Sequence, residues 1–214
     1  MKTELIKQYT ENLLNIYTKE LLKNCDYNYI LVLNNQEESQ VINNILYTNY
    51  QDFYKHDYLK YSIPPIRKPR KLLTYNDGFN ILNKVDYGTL AISSKVPYCT
   101  SLNHFVVDGH IYFHCGHTGH KLEGLNQLVC YNVVDDLGIH KEVFTHNHQS
   151  VHIYGFLKEV KENKKALLEA FLQRFTPGFT KNLNEQMLQN TMLLEIDIIH
   201  MNVKKHFIKK KLIH

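Results

Sequence analysis

The sequence predicts a mainly β fold with flanking helices (α+β), in which six antiparallel strands form a small closed or split barrel. Three observations carry this. Asp108-Gly109 sits between two β-rich runs, which is the strongest short hairpin signal a sequence offers. A short turn at Ser94-Lys95 separates the runs 87–93 and 96–107. Connections this short exclude a doubly wound parallel sheet, which needs a helix in each crossover.

The elements follow in order. Over residues 1–61, Ile6, Tyr9, Leu13, Ile16 and Leu21 or Leu22 recur at helical spacing. Residues 27–33 form a short β-like run. Val41, Ile42, Ile45 and Leu46 predict a second helix. Tyr50, Phe53 or Tyr54, Tyr58 and Tyr61 predict a third, whose aromatic stripe reads as a packing face for the barrel or a partner subunit. Residues 1–61 are therefore expected to be a helical N-terminal extension. Pro64, Pro65 and Pro69 forbid a helix or central strand over 62–69 and mark the boundary. Thr74 can cap a helix through Lys84, with Asp77 in its first turn and Phe79, Leu82 and Val85 inward. Strands follow over 87–93, 96–107 and 110–115, then a short helix over 119–127 and a strand over 128–134. A loop over 135–147 leads to a strand over 148–160. Ala166, Leu167, Ala170, Phe171 and Arg174 share a face of a helix over 161–175, which Pro177-Gly178 ends. Residues 192–200 alternate as a closing strand. The barrel domain is expected over 62–206, and 207–214 read as a basic, solvated C-terminal tail.

Composition narrows the class. At 214 residues the chain suits one domain or one domain with an extension. The formal charge of +4 is mild, and much of it sits at Lys204, Lys205 and Lys209–Lys211. No nucleic-acid-binding pattern accompanies it. The four cysteines form no CxxC pair, so they pack as small hydrophobes and suit a reducing, cytoplasmic setting. The first residues hold no continuous apolar core of a signal peptide, and no apolar run spans a membrane.

Gly119-His120-Lys121 stands at the start of the expected helix. Gly119 allows close backbone approach, Lys121 supplies a full charge, and free N–H groups at a helix start attract phosphate. The same residues also read as a plain turn. No P-loop or GxGxxG is present, which argues against ATP and Rossmann cofactors. Histidines cluster at His114, His117 and His120 and at His146, His148 and His152. His114 and Cys115 are adjacent on a strand and must face opposite ways, which argues against a shared zinc ion and for no metal site. No triad or paired-carboxylate pattern is visible, so catalytic residues are not assigned.

The stretch 87–134, with its hairpins, its loop and its returning strand, resembles the FMN-binding split barrels of the pyridoxamine-phosphate-oxidase superfamily. It is most similar to the Nim-type branch of nitroimidazole-resistance proteins. IYFHCGHTGHK, over 111–121, matches a strand and loop whose last basic residues hold the FMN phosphate. PYCTSLNHF, over 97–105, matches the segment lying along the flavin and ribityl chain. HQSVHIYG, over 148–155, matches a strand that reaches the flavin of the other subunit. The resemblance covers about residues 67 to 200. It departs at Ser101 and His104, where many relatives carry Pro and an aromatic, and at the Ser94-Lys95 turn, where Asp-Gly is common. Residues 1–61 have no counterpart in short members.

The resemblance implies a homodimer with two flavin sites. Thr100, Ser101, Leu102 and Asn103 would line one side, with His114 and Cys115 on the neighbouring strand. Gly119, His120 and Lys121 would hold phosphate, Ser150 would come from the later strand, and Arg67 and Arg70 resemble a basic segment ahead of the first helix. The implied activity is reduction of a small electron-poor compound, nitroaromatic or quinone-like, with His104 and His114 the candidate proton donors. Other readings are a haem carrier using His114, His117 or His120, a non-catalytic flavin carrier, and a cofactor-free module that binds a partner through 1–61.

Overall fold

The computed structural model describes residues 4, 8–9, 11–18, 21–23, 25–34, 36–56, 60–61, 63–64, 67–141, 145–179 and 183–207. The chain divides into two compact units. The first comprises Met1–Ile81, Val134–His152 and His200–His214, and the second Leu82–Val133 and Ile153–Ile199.

The first unit holds a four-stranded sheet in the order β1-β2-β4-β3. The strands are β1 (Leu13–Thr18), β2 (Tyr29–Leu33), β3 (Gln40–Ile42) and β4 (Ile45–Thr48). β1 and β2 are antiparallel, β2 and β4 parallel, and β3 and β4 form a hairpin. Helix α1 (Tyr50–Lys55) follows, capped by Asn49, whose side chain accepts from Asp52 N at 2.8 Å.

Among the described residues of 1–61, residues 4, 8 and 9 and helix α1 are helical, but the expected helical extension is corrected to a segment built mainly on the four-stranded sheet. The second expected helix is the β3–β4 hairpin. Asn43 and Asn44 both take positive φ, at 49° and 61°, the conformation that two-residue hairpin turns require. Over β1, Leu13, Leu14, Ile16 and Tyr17 are all buried, so both faces of the strand are covered. A continuous buried run gives no period that separates strand from helix. Of the third expected helix, residues 50–55 are helical and Phe53 is buried, whereas Tyr58 lies outside the described residues, as does Ile6 of the first.

The larger sheet has seven antiparallel strands, not six, in the order β6-β5-β9-β10-β11-β8-β7. They are β5 (Tyr87–Ile92), β6 (Tyr98–Asn103), β7 (Phe105–Val107), β8 (His110–Cys115), β9 (Leu128–His140), β10 (Thr145–Val160) and β11 (Met192–His206). The extra strand arises because His104 breaks the run 96–107. Its N–H turns to Asp86 O at 3.2 Å and its ring is fully buried. The loop expected over 135–147 is largely strand, since β9 reaches His140 and β10 begins at Thr145. β11 runs beyond the expected 200 to His206, and the basic tail lies outside the described residues apart from Phe207.

Helix α2 (Tyr75–Lys84) starts as expected. Thr74 N and Oγ1 both donate to Asp77 Oδ2, at 2.9 and 2.7 Å, and Asp77 N donates to Thr74 Oγ1 at 3.2 Å. The Asp108-Gly109 turn also forms, with φ of 51° and 80°. Helix α3 (Lys164–Phe175) buries Leu167 and Leu168 against Phe105 and Leu193 in the second unit. A short helix α4 (Glu185–Asn190) precedes β11. Among the described residues, no helix is long and apolar enough to cross a membrane.

One glycine is dictated by packing. A Cβ at Gly155 would lie 2.3 Å from Asp197 O and 2.5 Å from Ile196 Cγ2. Backbone cannot yield as a flexible side chain does, so Gly155→Ala is expected to destabilise by about 3 kcal/mol or more. Gly116→Ala, which meets open space, serves as control. Urea midpoints that coincide for the two variants would refute this.

Candidate functional site

Strand β6 lies at one end of the sheet order, so among the described residues one of its edges is unpaired. Cys99, Ser101 and Asn103 are exposed, while Tyr98, Thr100 and Leu102 are half-buried. Its paired side is fixed by β5, with Thr100 opposite Leu90, Ser101 opposite Thr89 and Leu102 opposite Gly88. Asn103 Nδ2 donates to Asp86 O at 3.3 Å, which anchors the end of the strand.

The loop after β8 comes to the start of β6. The His120 ring lies 5.7 Å from the Tyr98 ring. The expected helix is a 3-10 turn of five residues, His120–Gly124, in which Leu122 N donates to Gly119 O at 3.1 Å. A turn this short adds little dipole, so positive charge at the loop comes from side chains. Lys121 Nζ donates to Thr118 O at 2.7 Å and folds back over Gly119. Gly119 has φ of 110°, and a Cβ there would lie 3.1 Å from Lys121 Nζ. His120 Nδ1 lies 2.6 Å from Glu123 Oε1, so a carboxylate holds this imidazole.

Cys115 shares this neighbourhood. Burial raises its thiol pKa and the Lys121 ammonium opposes the shift, which favours an unreactive thiol. His114 faces away, its ring 4.1 Å from that of Phe171, and burial lowers its pKa. The structure thus groups Tyr98, Cys115, Gly119, His120 and Lys121, with 100–103 continuing along β6. Tyr98 and Glu123 were absent from the sequence reading. An aromatic at the first position of an edge strand was the available signal for Tyr98.

Other sequence candidates fall elsewhere. His104 is buried, with Nε2 at 2.8 Å from Leu82 O and Nδ1 at 2.9 Å from Tyr131 Oη. It is a core histidine, and burial removes it as a proton donor to substrate. His117 Nε2 lies 2.7 Å from Gln189 O. Ser150 belongs to the first unit, is 2% exposed, and its Oγ has no hydrogen-bond partner. Arg67 and Arg70 are exposed. Among the described residues, no three His, Cys, Asp or Glu side chains converge as a metal site.

Comparison with known proteins places this architecture. A 5-nitroimidazole antibiotic resistance assignment attaches to a similar structure from Bacteroides thetaiotaomicron, at 17% identity, a TM-score of 0.55, and coverage of 63% of this chain and 86% of that one. A flavocytochrome from Azotobacter vinelandii is similar at 17% identity and a TM-score of 0.55, over 62% of this chain and 67% of that one. An FAD and haem binding protein from Mycobacterium smegmatis is similar at 16% identity and a TM-score of 0.54, over 62% and 71%. At these identities the likeness concerns the fold. No curated protein matches the chain significantly. The family model described as pyridoxamine 5'-phosphate oxidase matches residues 77–205, from the first turn of α2 to the end of β11. The chain belongs to the pyridoxamine 5'-phosphate oxidase family.

Proposed function

We propose that the chain binds FMN and acts in the cytoplasm as a homodimeric oxidoreductase that reduces small electron-poor compounds, nitroaromatic or quinone-like. The observation that carries this is the Lys121 ammonium folded over Gly119, in a loop that meets the start of β6, in a chain whose structural neighbours include a flavocytochrome and an FAD and haem binding protein. Two features suit a flavin phosphate and its surroundings. The positive φ and close Lys121 contact at Gly119 exclude a side chain there. The buried, unpartnered Ser150 hydroxyl costs about 1–3 kcal/mol unless something completes it.

In this reading Lys121, Gly119 and His120 hold the phosphate. Glu123 orients the His120 ring. Thr100, Ser101, Leu102 and Asn103 run along the flavin and ribityl chain, Cys115 and His114 lie on β8, and β10, which carries Ser150, runs beside the site of the partner subunit. Residues 62–206 are the flavin-binding region. When bound, the flavin supplies hydride or single-electron transfer. The chain's own residues bind, orient and exclude water, and no side chain is assigned as an acid or base.

Absorption spectra of the purified protein, desalted after reconstitution with FMN and separately with haem, test the cofactor. Retained flavin bands support the reading, whereas a haem Soret band alone rejects it. Lys121→Ala is expected to weaken FMN by about tenfold or more, the worth of one charge-assisted hydrogen bond. Riboflavin, which lacks the phosphate, should be unaffected. Equal losses for both ligands in a fluorescence titration would remove Lys121 from the phosphate site.

A further inference from the structure

The first unit carries a separate cluster of cationic groups that this reading leaves unused. Lys71 ends a 3-10 turn, Pro69–Lys71, and His206 ends β11. Lys71 Nζ lies 2.6 Å from His206 Nδ1, and His206 Nε2 lies 3.1 Å from Thr145 Oγ1. The His148 ring stacks on the His206 ring, with centroids 5.4 Å apart and planes at 22°.

The donors fix the tautomer. An ammonium only donates, so Nδ1 of His206 must be bare and Nε2 must carry the proton. Nε2–H then donates to Thr145 Oγ1, which leaves the threonine's own proton to donate elsewhere. Lys71 keeps two further N–H groups. His148 Nδ1 lies 3.4 Å from His146 O. Burial first, and then Lys71, His148 and Lys68, hold His206 below the usual imidazole range. The nearby Asp136 carboxylate interacts with His148. It is already engaged by Gly138 N at 2.8 Å and by His146 Nδ1 at 3.3 Å. Among the described residues, the Lys71–His206–Thr145 relay therefore has donors to spare.

We propose that Lys71, Thr145 and His148, braced by His206, form a binding site for a phosphate group. A tetrahedral oxyanion satisfies the free Thr145 hydroxyl, the remaining Lys71 N–H groups and the local excess of positive charge together. Inorganic phosphate and the phosphate of a nucleotide offer the same chemistry. The site stands on the first unit alone and holds whether or not the flavin reading does.

The test is a titration of the 15N-labelled full chain with inorganic phosphate, at ionic strength held constant with chloride. The imidazole nitrogens of His148 and His206 are followed by NMR. Saturable shifts are expected, weakened about tenfold or more in Lys71→Gln and again in Thr145→Val. Thr145→Val keeps side-chain shape and so isolates the hydroxyl if the lysine variant folds poorly. Repeating the titration with FMN and with riboflavin identifies the source. Shifts with FMN but not riboflavin assign the nucleotide phosphate, and shifts with inorganic phosphate alone assign a free anion. Shifts that fail to saturate, that chloride reproduces, or that both variants leave unchanged overturn the proposal.

Discussion

Deleting residues 1–61 is expected to abolish folding of the first unit, not to release an independent barrel. The reason is where Tyr17 sits. It is fully buried on β1, its ring stacked on Phe53 at 4.6 Å and 9°, and lying 5.6 Å from the ring of His200 on β11. Its hydroxyl meets His200 Nδ1, and His200 is 1% exposed. Leu13, Ile30 and Leu31 around it are also fully buried. Removing the segment strips the cover from a buried imidazole and from β11, a strand that the family match includes. Tyr17→Ala alone should cost about 3–5 kcal/mol, the usual range for emptying a large aromatic site. Tyr17→Phe keeps the packing and should cost about 1–3 kcal/mol, since it removes only the hydroxyl partner of a buried ring. Urea denaturation with size-exclusion chromatography measures all three. A truncated chain that stays monodisperse and unfolds cooperatively would sink the argument, as would a Tyr17→Ala midpoint equal to the parent's.

What was legible in the sequence follows from where local chemistry decides the outcome. The Thr74–Asp77 cap and the Asp108-Gly109 turn are read correctly because each is a short-range device whose residues meet within four positions. The N-terminal sheet was misread because tertiary burial covers both faces of β1, which erases the strand period. Its one local clue was Asn43-Asn44, two residues that tolerate positive φ between apolar pairs. The break at His104 was invisible for a similar reason. It depends on Leu82 O and Tyr131 Oη, contributed by distant segments. At the candidate site the loop 119–121 stands out in the sequence by a glycine and a lysine at an expected helix start, and by its resemblance to a family. The Tyr98 contact and the Glu123 restraint on His120 needed the fold, as did the burial of Ser150.

The other large effect is pH-dependent. Acidification from pH 7 towards pH 4 is expected to unfold the protein, driven by histidines that are neutral in the native state. Burial lowers His200 and His104 from 6.5 to about 4, and His152 likewise, with Lys204 adding to the last. For His104 the Leu82 carbonyl bond works against burial, and Arg174 works with it. The unfolded chain therefore binds more protons than the native one between about pH 6.5 and 4. Stability is full above that window, falls as pH drops through it, and levels off below. For His200 and His104, 1% and 0% exposed, each loss is on the order of 3 kcal/mol. Two such losses rival the about 5–15 kcal/mol that holds a domain of ordinary stability together. Urea unfolding at half-unit steps of pH measures the slope. Tyr131→Phe should leave the His200 share of that slope in place, because Tyr131 faces His104. A stability that stayed flat from pH 7 to 4.5 would mean that these imidazoles are either protonated in the native state or not buried there. Either result would undo the assignment of His104 and His200 as core histidines.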